Sequence, residues 1–124
     1  MLGVDLETFA ADPFTLVPLL QDYVARLPLS EFEQSDWVTL HTDLTSFLAE
    51  ILVKNYGGNW EKVEASDSPA GFRYYIVATG LDGLRRRVEP YDVVMEEFQH
   101  PPIEITRMIA NAGAFLGVIS STEG

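Results

Sequence analysis

Cysteine is absent from the 124 residues, and histidine occurs only twice. The first absence excludes disulfides, thiolate metal sites and thiol nucleophiles. Basic residues are also scarce, with eight lysines and arginines against 19 acids, a net charge of −11. Such a chain repels nucleic acid and anionic membrane surfaces, and it attracts basic surfaces at long range. The same charge also serves solubility alone. No apolar run is long. The longest, Ile109 to Ile119, is interrupted by Asn111 and falls well short of the about 20 residues that cross a bilayer. Met1 to Glu7 lacks the basic start and apolar run of a signal peptide, so the expected compartment is the cytoplasm. No Gly-x-Ser-x-Gly elbow, phosphate-cradling Gly-rich loop, Asp-rich calcium loop or His-Glu-x-x-His occurs, and no cofactor or metal is expected.

What is present suffices for one core. The chain is 47% hydrophobic and 11% aromatic, which at this length predicts a single domain over residues 1–124. Residues 1–14 read as a weak lead-in, in which Asp5 is placed to cap a short turn, and residues 118–124 as a frayed tail. Leu16, Leu19, Leu20, Tyr23, Val24 and Leu27 recur at helical spacing over residues 15–27, with Pro18 tolerated in the first turn. Ser30-Glu31-Phe32-Glu33 has capping-box spacing, and Ser35 or Asp36 offers a second cap. A long helix follows to Tyr56, its buried face running from Trp37 through Leu44 to Leu52, and Gly57-Gly58 stops it. The period then changes to two. Strands are expected at Trp60–Glu64, Phe72–Thr79 and Leu84–Val88, and their short connections predict an antiparallel meander. Pro90 opens a helix carrying Tyr91, Val94, Met95 and Phe98, which Pro101-Pro102 ends. A last helix spans about residues 103–117. The expected fold is α+β, helices packed on a three-stranded antiparallel sheet in the order α-α-β-β-β-α-α.

The steps Tyr56-Gly57-Gly58-Asn59-Trp60 and Val88-Glu89-Pro90 frame a hairpin between two helices. Over about residues 44–98 this pattern resembles a group of small bacterial domains of unknown function, some of them similar to immunity proteins of toxin systems. The resemblance implies a fold and carries no catalytic residue across. The two motifs lead to the expectation that Trp60 is a buried anchor between the long helix and the sheet.

Candidate residues are few, and each has a bland counterpart. His41, beside the buried stripe of the long helix, reads as a general base or as a half-buried histidine satisfied by a hydroxyl or backbone group. Asp92, Glu96 and His100 fall at four-residue steps, as hard metal ligands or as a solvated helix face, and Pro101 biases His100 away from helical geometry. Arg85-Arg86-Arg87 holds three of the eight basic residues. On a strand Arg85 and Arg87 share one face, and Arg86 shares the other with Leu84 and Val88, where it needs a carboxylate or an open edge. The cluster reads as a charge-blunted edge strand or as a contact for an acidic group. In Phe72–Thr79 the face holding Arg73, Tyr75, Val77 and Thr79 is too apolar for a solvated surface, which predicts either helices on both sheet faces or a homodimer. Tyrosine and arginine together mark interface centres.

The expected function is therefore a non-enzymatic protein-interaction module. Arg85, Arg87, Arg73 and Tyr75 are its candidate partner-binding residues, and its partner is expected to be a protein, basic in charge, with neither nucleic acid nor membrane involved. The resemblance adds the expectation of an immunity-like inhibitor. The alternative is a small acid/base hydrolase or metal-dependent enzyme using carboxylates of the helix after Pro90, which a buried carboxylate of raised pKa in a cleft would favour.

Overall fold

Pro18 would break a helix interior; it sits instead at the second position of α1 (Val17–Ala25), where the amide it lacks has no helical partner anyway. The computed structural model describes residues 13–118 apart from 68 and 70. Most of the expected lead-in and tail lies outside the described residues. A 3-10 turn over Pro13–Leu16 leads into α1. Val17, Leu20 and Val24 turn towards the core, whereas Leu19 and Tyr23, expected in the same stripe, are exposed at its flank.

The long helix α2 (Gln34–Tyr56) starts from a capping box three residues beyond the expected one. Leu29–Glu31 forms its own 3-10 turn, so Glu33 becomes the cap and its N–H donates to Asp36 Oδ2 at 3.0 Å. Leu40, Leu44, Phe47, Leu48, Ile51 and Leu52 form the buried face, as their spacing predicts. The two glycines that end α2 do different work. Gly57 adopts the left-handed conformation (φ 72°) that favours glycine. Gly58 lies so close to the sheet that a Cβ there would stand 2.5 Å from Ile76 Cγ2.

The strands β1 (Asn59–Glu64), β2 (Phe72–Thr79) and β3 (Arg85–Val88) form one antiparallel sheet with β2 in the centre. Ile76 is opposite Trp60 on one side and Val88 on the other. After β3 come α3 (Pro90–Phe98) and α4 (Ile105–Leu116), completing the order α-α-β-β-β-α-α of an α+β fold. The core joins Ile76, Ala78 and Val88, from one sheet face, to α1, α2, α3 and α4. Val77, on the other face, is buried yet lies outside that core. Helices therefore pack on one sheet face among the described residues, not on both.

Two polar clasps hold the helices in place. The Gln21 amide of α1 donates to the Ile103 carbonyl at 3.2 Å and accepts from the Ile105 N–H at 2.6 Å. Glu97 of α3, only 2% exposed, takes the Arg107 Nε and Nη2 at 2.9 and 2.6 Å and the Glu104 N–H at 2.9 Å. Arg107 also donates to the carbonyls of His100 and Pro102, so a buried carboxylate is fully satisfied. Among the described residues no helix is long and apolar enough to cross a membrane.

A candidate interaction groove

Trp60 is not a buried anchor. It is 54% exposed. The close approach at Gly58 seats Ile76 against α2 and leaves Trp60, its partner across the strand pair, near the sheet edge. Strand alternation puts Trp60, Phe72 and Tyr74 on the helix-facing side with Ile76. Towards Phe72 that side is not sealed, and a groove of about 560 Å³ opens there. Its sheet wall is Trp60, Phe72 and Tyr74; Pro90 and Tyr91 at the start of α3 and Thr45 of α2 complete the apolar lining. Tyr74 and Tyr91 are 50% and 52% exposed. The Trp60 and Tyr74 rings stand almost perpendicular (84°) with centroids 6.5 Å apart. The Thr45 hydroxyl is buried without a hydrogen-bond partner among the described residues.

Charge gathers at the Arg73–Glu89 rim. Arg73 donates to Glu89 Oε1 at 3.1 Å and to Asp67 Oδ2 at 3.2 Å, and both carboxylates hold its guanidinium further into the charged state. Burial raises the Glu89 carboxyl above its ordinary range, the neighbouring Asp92 adds to the rise, and Arg73 opposes it. A second groove, of about 370 Å³, runs between the first half of α2 and α3 and shares Tyr91 as a wall. His41 lies there, 6% exposed, its Nε2 donating to the Tyr91 carbonyl at 2.9 Å and its ring 3.9 Å from that of Tyr91. It is more deeply buried than expected and is satisfied by backbone. Of the row Asp92, Glu96 and His100, the histidine lies past the end of α3, and its Nδ1 is 3.1 Å from the Glu96 carbonyl. Among the described residues no three such side chains gather as metal ligands.

Arg85, Arg87, Arg73 and Tyr75 share the opposite sheet face. Arg87 lies 4.2 Å over the Tyr75 ring and 3.4 Å from Glu61, while Arg85 is exposed and makes no ion pair among the described residues. Arg86, on the core face, is paired through two bonds with Asp82 at 3.0 and 2.6 Å. Its guanidinium leaves room for no Cβ at Gly80 or Gly117. That pair, with the Leu84 N–H, lowers the Asp82 carboxyl to about 2. The exposed aromatics of the groove escape sequence reasoning because exposed and buried aromatics alternate along a strand in the same way. The signal that was available is Pro90 directly before Tyr91, which fixes a helix start beside the sheet. No family model, curated protein or solved structure matches the chain.

Proposed function

We propose that the protein is a non-enzymatic interaction module that docks a protein partner in the Trp60–Tyr74–Tyr91 groove. The carrying observation is the exposure of three large aromatic side chains around one apolar concavity, since soluble surfaces rarely keep such patches without a use. The net charge of −11 supports a basic partner, steered in from a distance. The pattern over residues 44–98, which resembles small bacterial domains of unknown function, some of them immunity-like, makes inhibition of a basic toxin in the cytoplasm the process we propose. The face of Arg85, Arg87, Arg73 and Tyr75 supports a second contact, either with an acidic spot on that partner or with another copy of the chain.

The test compares the chain with its Trp60→Ala and Tyr74→Ala variants as bait in host lysate. A basic protein held by the parent and released by both variants supports the reading, and added salt then slows its association. Equal retention by all three baits removes the groove from the function. Light scattering during gel filtration reads the homodimer directly, as twice the 13.8 kDa chain mass.

One observation favours a second reading. Glu89 is a carboxyl of raised pKa lining a groove, with Asp92 beside it, which is how acid/base pairs in hydrolases are arranged. Hydrolysis of a glycoside or ester panel, abolished in Glu89→Gln, would replace docking with catalysis.

A further inference from the structure

The docking reading leaves open what the groove grips, and the inference here rests on that reading. The groove wall is aromatic. Trp60 and Tyr74 meet at a right angle, and Tyr91 adds a third exposed ring from the helix side. Aromatic faces carry negative charge density and attract cations. The rim has the same sign, because Asp67 and Glu89 both pair with the single guanidinium of Arg73 and Asp92 lies beside Glu89. Two carboxylates sharing one cation, with a third beside them, leave a local surplus of negative charge, and Glu89 is crowded by Asp92. A further cation would relieve that crowding. The sheet already uses this chemistry within itself, with Lys62 4.3 Å from the Phe72 ring centroid and Arg87 4.2 Å over Tyr75. Arg73 and Lys62, the two cations beside the groove, are thus already occupied by partners, so they offer an incoming anion little.

We propose that the groove receives an arginine or lysine side chain of the partner, its cationic head stacked on Trp60 and Tyr74 and turned towards Glu89. The second groove has Tyr91 in common with the first as a lining residue, so a partner segment held in one can reach the other past that ring. In such a segment the basic side chain takes the first groove and an apolar one lies against Val38 and Met95 in the second.

A phage library of random 12-residue peptides, selected on the immobilised full chain and counter-selected on Trp60→Ala, tests this. The expected consensus holds arginine or lysine at one fixed position followed by an apolar residue. Calorimetry should then show binding weakened about tenfold or more in Glu89→Gln, the size of a lost charge-assisted hydrogen bond. Citrulline in place of the peptide's arginine should weaken the parent complex similarly. A Trp60-dependent consensus without a basic residue, or affinity unchanged in Glu89→Gln, overturns the inference and leaves the docking reading standing. Equal binding by free tetramethylammonium also overturns it, since the segment would then be superfluous. If no recovered peptide depends on Trp60, and Tyr74→Ala binds the same peptides as the parent, the docking reading fails and the inference with it. Circular dichroism melts of each variant confirm that the fold persists.

Discussion

One strand face has two fates. At the turn end of β2, Ile76 and Ala78 are sealed under helices with Val88; four residues back, Phe72 and Tyr74 border an open groove. The alternation of side chains is the same at both ends. What differs is the cover. α2 closes on β2 at Gly58, and α4 packs on β3, whereas the start of α3 stands off from Phe72 and Tyr74. The covered end is aliphatic and the uncovered end aromatic. Aliphatic side chains gain only by burial, while aromatic faces bind partners through charge and stacking. Apolar character on a sheet face thus marks core at one end and a recognition surface at the other.

Substitutions on either side of that boundary should separate sharply. Ile76→Ala, at a position with no exposure, should cost about 2–5 kcal/mol in urea unfolding. Gly58→Ala acts on the same contact from the other side. Its Cβ would force Ile76 or the α2 terminus to shift, and a loss of about 1–3 kcal/mol is expected from overpacking. Trp60→Ala, at the open end, should cost under about 1 kcal/mol, as an exposed position away from caps and core. A Trp60→Ala loss as large as that of Ile76→Ala would erase the distinction between the two ends.

The smallest effects lie in titration, where the two ends have opposite signs. Asp82, beside Arg86 at the turn end, has its folded pKa depressed from 3.8 to about 2. Its stabilising contribution is present above the unfolded value and is lost as pH falls through about 2. Glu89, at the groove end, has its folded pKa raised, so its ionisation opposes folding as pH climbs past its ordinary 4.5. Carboxyl carbon shifts followed by NMR should show Asp82 titrating near 2 and Glu89 above 4.5. A Glu89 that titrates below 4.5 would mean that Arg73 outweighs burial.

The backbone plan was legible in the chain because its punctuation is strong. Gly57-Gly58, Gly80 to Gly83, Pro90 and Pro101-Pro102 divide the periods cleanly, and the seven-element order follows from them. The buried stripe of α2 was equally plain, from Leu40 to Leu52. Side-chain fate was less so. Trp60 looked like core because the Gly57-Gly58 and Val88-Glu89-Pro90 steps frame its hairpin between two helices, yet its burial depends on where a helix 30 residues later begins, which no local pattern encodes. Glu97 is the converse, a carboxylate that local pattern would put in water and that Arg107 allows inside. Arg86 was legible as needing an acid, but that Asp82 supplies it was not.

Gln21 clasps the entry to α4 from a point 84 residues earlier in the chain. The meander, by contrast, is made of neighbours in sequence, which meet early at little loop-closure cost. A contact of such span comes late, and it ties the two outermost helices into one cooperative unit. Loosening either one frees the other, so the backbone amides of α1 and α4 should exchange with deuterium together, although they lie at opposite ends of the described chain.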